Sequence, residues 1–261
     1  MPLIYLPDLR LNASLTGPED GPPLVLLHAL GLSNEIWQPL IDRLPRHRIL
    51  SFDLRGHGAS DCPPAPYKMG ALIQDTERLI GHCGLKDCVV IGLSIGGLIA
   101  QGLAVKRLDL VRGLVLSNTA ARIGIASQWQ DRIALVRRAG LAALHDATME
   151  RWLGRNWRES PALAGLSTRF LATSPEGWAG CASAIAGTDF YETTATLRLP
   201  TLVIAGSHDG ATPVDLVRET ADLIPGHQFR LIRGAGHIPL AEKPDDYADA
   251  IRDFLTRIGH G

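Results

Sequence analysis

The sequence predicts an α/β fold in which a mostly parallel sheet is covered by helices on both faces. Short apolar runs bounded by Gly, Pro or polar residues recur along the chain, which is typical of buried strands. Segments of helical periodicity alternate with these runs, and that alternation favours a parallel sheet. With 261 residues, 46% of them hydrophobic and 20% charged, the chain can bury a large core.

The strands are predicted from the apolar runs in chain order. The first two, near Leu3–Leu6 and Leu11–Leu15, can form a hairpin at one edge of the sheet. Four further runs have the length of a buried strand, and Phe229–Ile232 is a weaker candidate. These four runs are Leu24–Leu27, Val89–Ile91, Leu114–Leu116 and Leu202–Ile204.

Helical patterns fill the segments between these strands. Thr212 followed by Pro213 fits an N-cap residue and the first position of a helix. The predicted helices cover Asn34–Arg43, Met69–Cys83, Ser94–Arg107, Pro213–Ile224 and Pro244–Ile258.

One region breaks the alternation of strands and helices. From about Ala120 to Phe190 the pattern indicates helices alone, and Ser160-Pro161 and Ser174-Pro175 each have the form of an N-cap followed by a helix start. We therefore predict a core of residues 1–119 and 191–261 and a helical cap of residues 120–190 inserted between core strands. The cap has slightly more basic than acidic residues, a sign that suits an anionic substrate.

Charge and composition exclude several function classes. The net charge of −1 argues against a protein that binds nucleic acid or a membrane surface electrostatically. No stretch approaches the roughly 20 apolar residues of a membrane span, and no signal peptide is recognisable. The four cysteines lack metal-ligand spacing and any CxxC motif, so we predict reduced thiols and a cytoplasmic location. They are Cys62, Cys83, Cys88 and Cys181.

The most informative segment for function is Gly92-Leu93-Ser94-Ile95-Gly96. A strand runs into this G-x-S-x-G pattern and a helix follows it, so its central residue is expected in a sharp, strained turn that exposes the hydroxyl. The N–H groups at the start of the helix favour negative charge there. Ser94 is therefore the candidate nucleophile; the alternative is a Gly-rich turn without chemistry.

A serine hydroxyl needs an adjacent base, and in a chain with this turn the acid and the histidine follow the serine in that order. His237 lies in a Gly-rich loop between the strand Phe229–Ile232 and the last helix, which would bring the imidazole over the sheet edge. Five histidines follow Ser94, and three of the others are placed less well: His145 is in the cap, His227 precedes the strand, and His260 is in the tail.

The acid should hydrogen-bond the second imidazole nitrogen and fix its tautomer. Asp209 lies just past the carboxyl end of the strand Leu202–Ile204. Asp215 is the competing candidate, but it falls in the first turn of the next helix, where capping explains it. We therefore assign the acid to Asp209.

An oxyanion hole needs two backbone donors, each worth about 2.7–4 kcal/mol in the transition state. The N–H of Ile95, directly after the nucleophile, is one candidate, and Leu30 in the loop His28-Ala29-Leu30-Gly31 is the other. His28 either contributes to the site or orders this loop by hydrogen bonding, and we favour the second interpretation.

Together these residues resemble the α/β-hydrolase superfamily over almost the whole chain, and within it the 3-oxoadipate enol-lactonases. The strand-to-helix turn around Ser94 is shared across the superfamily. The segment that enters the cap, with Trp129 and Met149-Glu150-Arg151-Trp152, is similar to the corresponding segment of the enol-lactonases. The resemblance also rests on the segments 28–31, 52–60, 117–124 and 233–239. It implies an eight-stranded, mostly parallel sheet.

The resemblance further implies hydrolysis of a small-molecule lactone with an acetate arm, without a metal or organic cofactor. Trp129 and Trp152 would wall the lactone ring, and an indole N–H could donate to it. Packing within the cap is an equal alternative for both tryptophans. Arg122, where the chain leaves the sheet, is a candidate for binding the substrate carboxylate, although we favour its interpretation as a solvated surface arginine. Two alternatives stay open: a hydrolase or perhydrolase for another ester or lactone, and a non-catalytic ligand-binding protein of the same fold. The sequence does not indicate an oligomeric state.

Overall fold

A computed structural model describes residues 3–154 and 156–261 of the chain. Within these residues, eight strands form one sheet in the order β1-β2-β4-β3-β5-β6-β7-β8. The pairs β1–β2 and β2–β4 are antiparallel, and the remaining pairs are parallel. The strands are β1 (Leu3–Tyr5), β2 (Arg10–Thr16), β3 (Pro23–Leu27), β4 (Arg48–Phe52), β5 (Cys88–Leu93), β6 (Val111–Ser117), β7 (Thr201–Gly206) and β8 (Gln228–Ile232).

The helices cover the two faces of this sheet, as the sequence predicts. The pattern at Asn34–Arg43 becomes a 3₁₀ turn, Asn34–Trp37, followed by the short helix α1 (Gln38–Ile41). The other core helices are α2 (Met69–His82), α3 (Ile95–Lys106), α9 (Val214–Asp222), α10 (Pro239–Glu242) and α11 (Pro244–Arg257). The segment between β6 and β7 contains α4 (Ala126–Ala139), α5 (His145–Leu153), α6 (Leu163–Ala172), α7 (Pro175–Ala186) and α8 (Tyr191–Ala195).

The parallel order of the strands brings the functional segments to one edge. Every residue of β5 and of β7 is buried, which explains why these strands are continuous apolar runs instead of alternating ones. The chain leaves β5, β7 and β8 at the same edge of the sheet, because these strands are parallel. The residues that follow them therefore converge.

The apolar runs alone miss one strand, β4. Its sequence, Arg48-Ile49-Leu50-Ser51-Phe52, is interrupted by a serine, so no uninterrupted apolar run marks it. Ser51 is nevertheless buried, and β4 pairs with β2 on one side and β3 on the other. With β4 the sheet has the eight strands that the resemblance implies.

Among its described residues, the segment between β6 and β7 contains helices and loops but no strand, and α4 packs on α7. Ser174 caps α7 as expected, since its side chain accepts a hydrogen bond from the Gly177 N–H at 3.3 Å. At Ser160-Pro161 the helix begins later than predicted, at Leu163. The division into a core and a cap at residues 120 and 190 stays a prediction; below, "the cap" denotes α4 to α7 and the segments that join them.

Candidate active site

Ser94 occupies the strained turn that the G-x-S-x-G pattern predicts. Its backbone angles are φ 58° and ψ −117°, a conformation that residues other than glycine rarely adopt. The flanking glycines explain how the turn closes. A Cβ on Gly92 would lie 2.3 Å from the Gly96 carbonyl oxygen, and one on Gly96 would lie 2.2 Å from the Leu27 carbonyl oxygen. The Thr119 hydroxyl donates to the Ser94 carbonyl at 2.7 Å and helps hold the turn.

Asp209 and His237 form a buried pair at the same sheet edge. His237 Nδ1 donates to Asp209 Oδ2 at 2.8 Å, and both side chains are almost completely shielded from solvent. Ala211 and Thr212 donate further hydrogen bonds to the carboxylate. Burial opposes ionisation of Asp209, but His237 and these donors outweigh it and hold its pKa below the ordinary value. Because Nδ1 carries the proton, Nε2 is left to accept one.

Ser94 and His237 line one cavity of about 210 Å³, together with Leu30, Trp129 and Trp152. The Ser94 hydroxyl forms no hydrogen bond within residues 3–154 and 156–261. A bond between a nucleophile and its base often tightens only when substrate is bound. The structure thus brings all three predicted triad residues to one site, with the acid–base bond already made.

Asn118 is a residue of this site that the sequence reasoning missed. One amide nitrogen, Nδ2, donates to Asp209 Oδ2 at 2.9 Å and to the Gly236 carbonyl at 3.1 Å. The Ser117 hydroxyl donates to Asn118 Oδ1, which fixes the orientation of the amide. Asn118 is fully buried and has φ 47°, a conformation that Asn tolerates better than most residues. It therefore joins the carboxylate to the loop that carries His237.

The two predicted oxyanion donors, Leu30 and Ile95, lie at or next to residues of the cavity wall. Ile95 is the first residue of α3, where a backbone N–H has no partner inside the helix. Neither the Ile95 N–H nor the Leu30 N–H donates a hydrogen bond to any residue that the structure describes. Leu30 lines the cavity and Ile95 follows Ser94 directly. Their function as an oxyanion hole stays a prediction.

Two buried histidines order the loop that carries Leu30. His57 Nε2 accepts from the Gly31 N–H at 3.0 Å, and His28 Nε2 accepts from the Leu54 N–H at 2.9 Å. Burial lowers the pKa of both imidazoles, to about 3 for His57, so both are neutral at pH 7. This arrangement agrees with the interpretation of His28 as a loop-ordering residue.

The expectation for Arg122 requires a correction. Its guanidinium binds Asp189 at 3.1 Å and lies over the Tyr191 ring, about half exposed and outside the cavity. The Phe190 N–H donates to the Ala121 carbonyl, which brings the start and the end of the inserted segment together. Arg122 is therefore directed to this junction at the surface, where it meets a carboxylate of the returning chain.

Two other arginines, Arg132 and Arg151, line the cavity instead. The Arg132 guanidinium lies 4.9 Å from the centre of the Trp129 ring, and neither arginine forms an ion pair with a described residue. Burial lowers the pKa of Arg151, and burial together with the Arg151 charge lowers the pKa of Arg132 to about 10. The sequence contains one indication of this placement: Arg132 follows Trp129 by three residues, so both side chains lie on the same face of a helix.

The predicted tryptophans both lie in the cavity wall, in different roles. The Trp129 indole N–H donates to the Ile123 carbonyl at 2.6 Å, so it is not available to a ligand. Trp152 makes no such bond in the described part of the chain, and its ring stacks on His237 at 6.1 Å between centroids. Their contact with substrate stays a prediction.

The end of α5 is bonded to the loops of the acid and the base. The His237 N–H donates to the Trp152 carbonyl at 2.7 Å, and the Gly210 N–H donates to the Arg151 carbonyl at 2.8 Å. The fit is tight, since a Cβ on Gly236 would lie 1.8 Å from the Trp152 carbonyl oxygen. These carbonyls lie in the last turn of α5, where no helical partner remains for them.

Within residues 3–154 and 156–261, no group of three or more His, Cys, Asp or Glu side chains is arranged to hold a metal ion. None of the helices in this part of the chain is long and apolar enough to cross a membrane.

Comparison with known proteins places this geometry among hydrolases. A family model described as the alpha/beta hydrolase fold matches residues 22–244. The chain is 32% identical to 3-oxoadipate enol-lactonase 2 of Acinetobacter baylyi, over 96% of this chain and 94% of that protein. It is 33% identical to the solved enol-lactonase of Burkholderia xenovorans, with a TM-score of 0.93 over 98% of this chain and 100% of that one. A thermophilic esterase from Thermogutta terrifontis is 30% identical, with a TM-score of 0.90 over 98% and 97% of the two chains.

Proposed function

The chain belongs to the α/β-hydrolase fold family, and from this premise we propose that it hydrolyses a carboxylic ester or lactone through an acyl-enzyme on Ser94. The observation that carries the proposal is the buried Asp209–His237 pair, which opens onto the same cavity as a serine held in a strained strand-to-helix turn. A structural turn without chemistry has no need of a buried, correctly oriented imidazole beside it.

The proposed reaction begins with attack of Ser94 Oγ on the substrate carbonyl carbon, while His237 Nε2 takes the hydroxyl proton. Asp209 stabilises the imidazolium that forms. The N–H groups of Leu30 and Ile95 bind the oxyanion of the tetrahedral intermediate. The carbon–oxygen bond of the ester then breaks, and His237 returns its proton to the leaving oxygen. A water molecule activated by His237 releases the acyl group and restores the Ser94 hydroxyl.

We assign the substrate to the enol lactone of 3-oxoadipate, an intermediate of aromatic degradation by the β-ketoadipate pathway. The support is the similarity over nearly full length to proteins named enol-lactonases. In a cyclic ester the leaving enol stays attached to the acyl chain, so ring opening and ketonisation give 3-oxoadipate as a single product. The second candidate is hydrolysis of a simple ester, which the similarity to a thermophilic esterase supports.

Two measurements test this proposal. Ser94→Ala should lower turnover by a factor of the order of 10⁶, as in a comparable triad enzyme. Ser183→Ala serves as a matched control, because this serine lies on α7 outside the catalytic cavity, where its hydroxyl donates to the Ala179 carbonyl. Unchanged turnover in Ser94→Ala would exclude the acyl-enzyme mechanism, and ligand binding without turnover by the wild type would favour a binding protein.

The second measurement compares kcat/KM for the enol lactone, simple lactones and p-nitrophenyl acetate. The lactonase assignment requires that the enol lactone is preferred. A preference for p-nitrophenyl acetate would overturn that assignment while leaving the ester hydrolase mechanism intact.

A further inference from the structure

The catalytic cavity contains an unbalanced positive charge. Elsewhere the chain supplies a carboxylate where it buries an arginine: Arg55 is mostly shielded from solvent and binds Asp75 through two hydrogen bonds of 2.6 and 2.7 Å. Arg132 and Arg151 are each more than half buried, yet within the described residues neither has an acidic partner. Partial burial of an unpaired guanidinium has a free-energy cost that a folded chain normally offsets.

The two guanidinium groups also repel each other, since the charge of Arg151 makes the charged form of Arg132 less favourable. The Arg132 guanidinium and the Arg151 backbone are nonetheless held in place. Arg132 lies over the face of Trp129, whose indole N–H is anchored to a backbone carbonyl. Arg151 belongs to α5, and its own carbonyl is bonded to Gly210 beside the acid of the triad. An anion between the two side chains would offset both the desolvation and the repulsion.

We propose that Arg132 and Arg151 form a carboxylate-binding subsite of the catalytic cavity, so that the enzyme selects esters and lactones that carry a second, ionised carboxyl group. The planar guanidinium matches a carboxylate with two parallel hydrogen bonds, and at neutral pH both the arginines and the substrate carboxyl group are charged. The subsite deepens the proposed function and rests on it, since it holds the part of the substrate that does not react. A cavity of about 210 Å³ suits one small molecule that contacts Ser94 with one end and the arginines with the other.

The test compares two esters with the same leaving group. Mono-p-nitrophenyl glutarate carries a free carboxylate, and p-nitrophenyl butyrate is a neutral ester of similar length. In Arg132→Gln and in Arg151→Gln we expect kcat/KM for the glutarate ester to fall about 10- to 100-fold, the range expected for loss of one charged hydrogen-bonding partner. For the butyrate ester we expect a change of less than about threefold. Arg122→Gln is the matched control, because this arginine lies outside the cavity and should alter neither value.

A binding measurement separates the subsite from the chemistry. Adipate should bind to Ser94→Ala protein in calorimetry, adipamide should bind much more weakly, and adding Arg132→Gln or Arg151→Gln should remove the difference. If the wild type hydrolyses no ester or lactone but binds adipate through the two arginines, the proposed function fails and the subsite stands.

Equal losses for both esters would show that the arginines support only the fold or the triad, and unchanged values for both would show that they do not contact substrate. Either result overturns the subsite. Thermal melting identifies any Gln variant that fails to fold. Arg132→Lys then takes its place: it keeps the charge and loses the paired geometry, so the glutarate ester alone should again be affected.

Discussion

Asn118 joins the acid of the proposed triad to the loop of the base through one amide group, and Asn118→Ala should therefore weaken both the fold and catalysis. The substitution removes a bond to the Asp209 carboxylate, worth about 1.5–3 kcal/mol, and a bond to the Gly236 carbonyl, worth about 0.5–1.5 kcal/mol. Asp209 keeps its other donors, so the lower part of the first range applies, and the loss comes to about 2–3 kcal/mol. Alanine at φ 47° adds roughly 1 kcal/mol.

Urea unfolding measures the first effect and steady-state kinetics the second. Because Asn118 does not line the cavity, KM should change little, while kcat should fall by up to about 100-fold as His237 loses its fixed position. Asn118→Gly is the matched variant: it loses the same two bonds without the strain of a Cβ at positive φ, so its kcat should fall equally. An Asn118→Ala protein within about 0.5 kcal/mol of wild type, with kcat unchanged, would refute the reasoning.

Two further predictions concern the framework of the site. Burial lowers the pKa of His57 to about 3, so between pH 6.5 and 3 the unfolded chain binds a proton that the folded chain excludes. As the pH drops through this range, the free energy of unfolding should therefore decrease by up to about 1.4 kcal/mol per pH unit. His57→Gln still offers Gly31 an acceptor and should show a shallower loss of unfolding free energy from pH 6 to pH 4; an equal pH dependence in the variant and the wild type would contradict this. Gly96→Ala should destabilise the protein by about 1–3 kcal/mol, because the added Cβ would meet the Leu27 carbonyl. Its control is Gly70→Ala on the open face of α2, which should stabilise the protein by about 0.5–1 kcal/mol. Similar melting temperatures for the two variants would count against close packing at Gly96.

The sequence predicts those parts of the site that follow from position along the chain. Ser94, Asp209 and His237 each follow the carboxyl end of a parallel strand, and the carboxyl ends of such strands meet at one edge of the sheet. The same argument separates Asp209 from Asp215, which lies in the first turn of α9. For these residues, local pattern and topology point to the same answer.

The sequence does not predict features that depend on how separate helices pack. Arg122 and Arg132 lie ten positions apart in a helical insertion. The spacing of Arg132 from Trp129 places these two on one helical face, but it does not show that this face meets the cavity or that Arg122 meets Asp189 at the surface. Asn118 is missed for a related reason, since its partners come from β7 and β8 loops far along the chain. The strand β4 is missed because Ser51 interrupts its apolar run, although Ser51 is buried and β4 pairs with a strand on each side.

The carbonyl bonds at the end of α5 restrict how the inserted segment can be exchanged between relatives. Every residue has a carbonyl, so replacing the side chains of Arg151 and Trp152 leaves the bonds to Gly210 and His237 in place. A one-residue insertion or deletion in α5 is different, because it shifts the helix end by about 1.5 Å and turns it by roughly 100°. A chimera that imports another cap must therefore preserve the length of α5 before it can transfer a substrate preference, whereas the side chains of Arg151 and Trp152 can change without breaking these two bonds.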